Sequence, residues 1–222
     1  MDYCVRAYTR LLAWTLVCML SLGQAIPALG NPLPAPHPIE DAVWSGNVAR
    51  VEKLLGDGPP SLASVSGLLQ SAAGRGHTDV VLVLLGHGAN VGNKDHHGMT
   101  ALHRADNPAI AKILLDRGAD LSARSDNGWT PLRMALKYNK SDELVLYLLE
   151  RGADINDIDN NGNDLIYETL FLSCRPKALG ILLDAGIDPN KKGRRDEPWL
   201  SWAKREKFDE CAEVLRQHGA RE

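Results

Sequence analysis

An apolar-Leu-Leu segment, followed by a short polar step and a glycine, recurs along this chain at intervals of about thirty-three residues. The copies run from Val51 to Gly58, Val81 to Ala89, Ile110 to Ala119, Val145 to Ala153, Leu179 to Gly186 and Val214 to Ala220. In repeat proteins each unit contacts only its neighbours, so a fixed period of this length predicts a stacked array. The chain has 222 residues, 44% of them hydrophobic, which is enough for such an array to bury a core.

A second short helical pattern precedes each of these segments. These patterns cover Ile39 to Ser45, Leu68 to Arg75, Ala101 to Asp106, Pro131 to Tyr138, Leu165 to Leu172 and Pro198 to Arg205. Each unit is therefore expected to contain two short antiparallel helices, with the glycine forming the C-cap of the second. Helices of this length are unstable alone, so stability must come from stacking one pair on the next.

Three segments carry a specific family pattern. Ser71 to Asn90 reads SAAGRGHTDVVLVLLGHGAN, and Gly98 to Ala105 reads GMTALHRA. Gly128 to Ala135 repeats the second motif, with Arg133 in place of the histidine. These motifs resemble the core and the opening of the ankyrin repeat, and the resemblance extends from Pro38 to Ala220.

The resemblance implies a fold and a role for several motif residues. The expected fold is an all-α repeat solenoid of about six ankyrin-type helix-turn-helix units with β-hairpin-like loops. Thr100, His103 and Thr130 are expected to brace the turn into a first helix, and His77 to be structural. The approximate units are 38–61, 62–94, 95–124, 125–158, 159–191 and 192–222. Polar residues of the last unit are expected to end the array.

The third unit is shorter than the fourth. The stretch from Thr100 to Gly118 has fewer positions than the equivalent stretch from Thr130 to Gly152. A turn is therefore expected to be missing around Asn107-Pro108, with irregular stacking at that point.

The first 25 residues have the features of a signal peptide. Arg6 and Arg10 supply a basic region, the run from Leu11 to Leu22 is apolar, and cleavage is expected after Ala25. An uncleaved membrane anchor is the alternative, although the run is shorter than the roughly 20 residues that span a bilayer. The proline-rich residues 26–37 are expected to form an extended leader. This arrangement predicts a periplasmic or secreted protein that has no membrane contact after cleavage.

Charge and motifs argue against nucleic-acid binding and catalysis. The formal net charge is -3 and the sequence pI is about 6.2, so no basic field is expected. No metalloprotease, hydrolase, P-loop or dinucleotide motif is present. Asp95, His96 and His97 resemble a fragment of a metal site, but Asp95 occupies the usual hairpin position of the repeat and His103 is the motif histidine. We expect no metal, no cofactor and no enzymatic activity.

Four aspartates, Asp154, Asp157, Asp159 and Asp164, lie close together before the first helix of the fifth unit. Their spacing does not match an EF-hand calcium loop, because Gly162 is not at the sixth position of a loop with a terminal glutamate. The interpretation is a solvated hairpin face.

Signal cleavage would remove Cys4 and Cys18 and leave Cys174 and Cys211, an even number in an oxidising compartment. In an ankyrin-type array both would follow the helix-helix turns of neighbouring units, near the Cα separation of about 5.5 Å that a disulfide requires. The two interpretations are a disulfide and a pair of buried, unpaired thiols.

One dense basic cluster, formed by Lys191, Lys192, Arg194 and Arg195, lies at the last hairpin. It is interpreted either as a solvated turn or as a contact for an acidic partner, because charged rims accelerate association.

In resembling proteins the hairpin tips and the inner faces of the first helices line a concave groove that binds a partner. Trp, Tyr and Arg are favoured at such interfaces because they combine area with directional bonding. The partner-binding residues predicted on this basis are Trp129, Tyr138, His96, His97, Met99, Arg104, Arg124, Asn127 and Lys137. The alternative is that Trp129 packs over its own hairpin and Phe171 under the neighbouring unit.

These features predict a non-catalytic, monomeric protein-protein interaction module that binds a protein partner in the periplasm or outside the cell. The sequence leaves open three kinds of partner: an exported enzyme that it supports, a toxin that it neutralises as an immunity protein, or a host protein on which it acts as a secreted effector.

Overall fold

A computed structural model describes residues 38–58, 62–138, 140–171, 174–193 and 196–221. The predicted signal peptide and leader lie outside these residues. Within the described ranges the chain forms helices and no strand, apart from an isolated antiparallel bridge between Lys192 and Pro198.

The twelve helices come in pairs, so odd-numbered helices are the first and even-numbered helices the second of each unit. They are α1 (Pro38–Trp44), α2 (Val48–Gly56), α3 (Leu62–Gly74), α4 (Thr78–Gly86), α5 (Ala101–Arg104), α6 (Pro108–Asp116), α7 (Pro131–Lys137), α8 (Asp142–Glu150), α9 (Leu165–Leu170), α10 (Pro176–Asp184), α11 (Trp199–Arg205) and α12 (Asp209–Gln217).

The helix starts follow from capping residues in the sequence. Asn47, Asn107 and Ser141 each accept a hydrogen bond from the amide three residues later, which satisfies a donor that the helix leaves unpaired. Pro108 and Pro131 begin α6 and α7, where a missing N–H costs nothing. Each second helix begins within a few residues of the end of the first helix, so the two helices of a pair are antiparallel.

Two rows of helices stack along the array. Each first helix from α1 to α7 packs on the next first helix, and each second helix from α2 to α10 packs on the next second helix. One continuous core extends from Ile39 in the first pair to Leu215 in the last. The predicted all-α repeat solenoid is confirmed for the described residues.

The loops between units are short hairpins that also stack. The amides of Asp95, Ser125 and Asp159 each donate to the carbonyl four residues later, at 2.9 to 3.0 Å. Gly128 takes a φ of +74° at one tip, and a Cβ there would lie 2.3 Å from Asn160 Oδ1 of the next hairpin. Glycine is required at this tip because of both its backbone angle and the close approach.

The third unit is shortened in its first helix, as expected. The α5 helix has four residues, whereas α7 has seven. Asn107 and Pro108 start α6 early, so the first helix ends after one turn. Lys140 of the next unit reaches Asp106 at 2.5 Å across this shortened connection.

Arg133, the residue that replaces the motif histidine, is fully buried in α7. Its guanidinium donates to Asp157 Oδ2 at 3.0 Å and to Glu168 Oε1 at 3.1 Å. The other N–H groups donate to the carbonyl oxygens of Asp157, Asn163 and Asp164. All five donors of the guanidinium are paired, and every acceptor belongs to α9 or to the loop before it.

The expectation of a solvated acidic face is wrong for three of its four residues. Asp157, Asp159 and Asp164 are buried, and only Asp154 is exposed. Asp157 is paired with Arg133, Asp159 accepts amides of its own loop, and Asp164 caps α9. Carboxylates are buried here because each one has a charged or amide donor.

Replacing Arg133 by methionine should lower the free energy of unfolding by about 3–5 kcal/mol, because Asp157 and Glu168 would lose their buried cation and keep only the partly exposed Arg124 and Lys137. Urea unfolding followed by circular dichroism measures this loss. Arg117→Met, at an exposed arginine, is the matched control and should change stability by less than about 0.5 kcal/mol. Equal stability of the two variants would contradict the structural role of Arg133.

His103 locks the turn into α5 in its neutral form. Its Nδ1 accepts from the Thr100 amide at 3.0 Å, and its Nε2 lies 3.0 Å from the carbonyl oxygen of Trp129. Nε2 therefore carries the proton, as these partners require. Burial lowers the pKa of His103 below its ordinary value, and protonation of Nδ1 would break the bond to Thr100.

Because the folded-state pKa of His103 is lowered, its contribution to stability is complete above the unfolded value of 6.5 and declines as the pH falls below it. The free energy of unfolding should therefore decrease between about pH 8 and about pH 5 in the wild type, and less in His103→Gln. His96→Gln, at an exposed loop histidine, is the control. Identical pH slopes for the wild type and His103→Gln would contradict this assignment.

Candidate protein-binding surface

The C-terminal ends of the first helices form a row of aromatic and basic side chains. We call it the first-helix row, and its members are Trp44, Arg75, Arg104, Tyr138, Phe171 and Arg205. Each is the last residue of a first helix or the residue after it. Among the described large hydrophobic side chains, the three most exposed belong to this row: Trp44 at 64%, Tyr138 at 56% and Phe171 at 47%.

Trp44 was not predicted as a partner-binding residue. Its indole ring lies 2.9 Å from Arg75 Cζ, and its carbonyl oxygen lies 3.2 Å from His77 Nε2. His77 is structural, as expected. The repeat register would have identified Trp44, because it lies two residues before Gly46 just as the end of α3 lies two residues before Gly76.

A pocket of about 450 Å³ lies where the third and fourth units meet. We call it the central pocket. It brings together four of the predicted residues, His97, Met99, Arg104 and Tyr138. The pocket lies beside the end of the four-residue helix α5, where the third unit departs from the regular repeat.

The floor of the central pocket is apolar and its rim is charged. Met99 and Met134 are 7% and 6% exposed, so they form a floor rather than freely accessible contacts. Arg104 on the rim donates to Asp95 at 2.6 Å. Burial would raise the pKa of Asp95, but the hydrogen bonds from Arg104 and from two backbone amides lower it to about 2. The ion pair therefore persists at neutral pH.

Trp129 both packs and faces a charged neighbour. Lys137 Nζ lies 4.7 Å from the centre of its ring, a cation-π contact. The Trp129 carbonyl accepts a hydrogen bond from His103 Nε2. The indole N–H is buried without a hydrogen-bond partner in the described part of the chain. Lys137 also lies 3.6 Å from Glu168. The structure thus gives Trp129 a packing role between the third and fourth units.

Arg124 and Asn127 take part in contacts between units. Arg124 donates to the carbonyl of Ile158 at 3.1 Å and pairs with Asp157 at 2.7 Å. The Asn127 carbonyl accepts from the amide of Asn160. Their backbone and charge contacts therefore join the loop before α7 to the loop before α9.

His96 and His97 are exposed at a hairpin tip, with ring centres 4.0 Å apart. No group of three or more His, Cys, Asp or Glu side chains in the described ranges is arranged to hold a metal ion. In the basic cluster, Lys192 pairs with Asp196 at 2.7 Å, and Arg194 and Arg195 lie outside the described residues.

A disulfide joins Cys174 to Cys211, with Cα atoms 5.9 Å apart. Cys174 follows α9 and Cys211 is buried in α12, so the bond links the fifth unit to the sixth. Among the described helices, none has the length and apolar character needed to cross a bilayer.

Comparison with known proteins agrees with this architecture. The family described as ankyrin repeats in three copies matches residues 39–125 and 106–159, which together make up more than half of the chain. The ankyrin repeat domain of Bcl-3, whose crystal structure is described as that of a unique member of the IkappaB protein family, aligns with a TM-score of 0.69 and 28% identity. That alignment covers 84% of this chain and 88% of that chain.

Two curated relatives show the same repeats within longer proteins. Human ankyrin repeat domain-containing protein 13C is 29% identical over 127 residues, which is 56% of this chain and 18% of that protein. Mouse ankyrin repeat and SAM domain-containing protein 6 is 34% identical over 116 residues, which is 48% of this chain and 13% of that protein. The chain spans less than a fifth of the length of these relatives. The helix pairs, the stacked hairpins and these matches show that the chain belongs to the ankyrin-repeat family.

Proposed function

We propose that this chain is a non-catalytic binding protein that holds a segment of one protein partner along the first-helix row. Ankyrin repeats use their extended inner surfaces to bind proteins. The observation that carries the proposal is the position of the most exposed large side chains. Trp44, Tyr138 and Phe171 all lie on this row, although such residues are costly to leave in water.

The central pocket is the proposed centre of the contact. Tyr138 stands at its edge, the two methionines provide a floor, and Arg104 is held on the rim by Asp95. A partner side chain that enters this pocket would meet a flexible thioether surface, which adapts to its shape. The exposed ring of Tyr138 would then cover it, as buried aromatic anchors do at interfaces.

The proposed place of action is the periplasm or the outside of the cell. The basic and apolar pattern of the first 25 residues supports export. The disulfide between Cys174 and Cys211 supports it independently, because such bonds persist in oxidising compartments. The proposed protein acts as a monomer and holds no cofactor.

Affinity capture from the native source tests the binding surface. Tyr138→Ala should reduce capture of the partner about tenfold or more, because it removes an exposed aromatic contact. Leu146→Ala is the matched control, since Leu146 is a similarly exposed residue on the second helix of the same unit. Equal loss in both variants, or no loss in Tyr138→Ala, would contradict the proposed surface.

The identity of the captured protein separates the three roles that the sequence leaves open. An exported enzyme would indicate a supporting role, a toxin would indicate immunity, and a host protein would indicate an effector. Capture that resists mutation along the whole row would instead place the interface elsewhere on the array.

Export and oxidation are tested by mass spectrometry of protein from the native source. The expected mature chain begins at Ile26, and Cys174 and Cys211 should react with an alkylating reagent only after reduction. Full-length chain in the cytosolic fraction with both thiols free would contradict the proposed location. The control is the same protein produced in a reducing cytosol, where the thiols should be free.

A further inference from the structure

A second pocket, of about 520 Å³, lies between the fifth and sixth units. Four aromatic side chains line it: Tyr167, Phe171, Trp199 and Trp202. We call it the aromatic pocket. The first helices α9 and α11 approach each other less closely than other neighbouring first helices, and aromatic rings occupy the space between them.

The rings face the cavity from different directions. Tyr167 and Phe171 are stacked with centres 4.6 Å apart, and Trp199 meets Trp202 edge to face at 5.7 Å. Tyr167 and Trp199 are inclined by 51°. Among the described residues that line the pocket, none is aliphatic. Tyr167 and Trp199 are only 8% and 3% exposed, so Phe171 and Trp202 are the rings that a ligand can reach. An accessible aromatic face carries negative potential, which favours a cation over a neutral apolar group.

The walls are fixed from outside the pocket. The Trp199 indole N–H donates to Asp164 Oδ2 at 3.1 Å, so the ring is tied to the N-cap of α9. The disulfide between Cys174 and Cys211 joins the same two units. A pocket held in this way loses little entropy when it is filled.

The charges at the mouth also favour a cation. Among the described lining residues, Glu197, Glu206 and Arg205 are charged, which gives two carboxylates for one guanidinium. Arg205 donates to both oxygens of Glu197, but only to Oε1 of Glu206. Within the described residues, Glu206 Oε2 has no partner. Arg205 is 46% exposed, so water screens its hold on the carboxylates.

We infer that the aromatic pocket binds an arginine or lysine side chain of the protein partner. This inference rests on the proposed function and names one chemical feature of the partner segment. The aromatic pocket lies two units beyond the central pocket, a separation of about 20 Å at the usual spacing of packed helices. An extended segment covers that distance in about six residues. The partner segment therefore carries its basic residue about six positions from the side chain that fills the central pocket.

A small cation tests the pocket without the partner. The disulfide-bonded protein is titrated with N-acetyl-L-arginine amide, and the indole N–H signal of Trp202 is followed by nuclear magnetic resonance. N-acetyl-L-citrulline amide is the neutral control of equal shape. The arginine derivative should shift this signal saturably, with a dissociation constant on the order of millimolar, and the citrulline derivative should not. An equal shift with both would overturn the inference.

Three variants separate binding from folding. Phe171→Ala and Glu206→Gln, both at exposed side chains, should weaken arginine-amide binding about three- to tenfold. Arg205→Gln should strengthen it, because the carboxylates would lose their internal competitor. A merely structural role of these residues predicts no such opposite effects. Unchanged affinity in all three variants would refute the inference.

Tyr138→Ala is the matched control, since Tyr138 takes the position in the fourth unit that Phe171 takes in the fifth. It should leave arginine-amide binding unchanged while reducing capture of the partner. Loss of partner capture with no arginine binding would reject the aromatic pocket alone. If the arginine amide binds but Tyr138→Ala captures as much partner as the wild type, only the proposed contact at the central pocket is rejected.

Discussion

The buried guanidinium of Arg133 links α7 to α9 and to the loop before α9, in the middle of this array. Arg133 donates to two carboxylates and three carbonyl oxygens of α9 and the loop before it, and its side chain is fully buried. A pair of this kind adds little net stability compared with apolar packing, but losing one partner is costly. The five directional hydrogen bonds of Arg133 also fix the position of α9 and its preceding loop relative to α7. The equivalent histidine of the third unit makes a single bond to the following unit, to the Trp129 carbonyl.

The sequence was sufficient for the repeat, because the period, the capping residues and the glycines act locally. Thr100 and His103 form the hydrogen bond that their motif predicts at the start of α5. The helical turn that the sequence lacks near Pro108 is absent from α5, which has only four residues. The buried acids were missed because burial depends on a partner far along the chain. Asp157 is 24 residues from Arg133, and a lone sequence shows a charged loop there rather than a closed network.

The candidate site was predictable only in its outline. The repeat register places Tyr138 and Phe171 at first-helix ends, but their exposure depends on how far adjacent units separate. The central pocket lies beside the shortened third unit, which the sequence does show. The aromatic pocket lies where α9 and α11 are farther apart than other neighbouring first helices. Trp199 and Trp202 do not recur in the other repeats, so the repeat pattern did not predict this pocket.

Linear repeat arrays lose structure from their ends, because a terminal unit has only one neighbour. The bond between Cys174 and Cys211 changes this for one end only, since it makes the last two units a single covalently closed block. Separation of the last two units is therefore restrained by a covalent bond, whereas the first two described units are held together by noncovalent contacts such as that between Trp44 and Arg75. A segment bound along the first-helix row would thus meet a covalently restrained wall at the aromatic pocket.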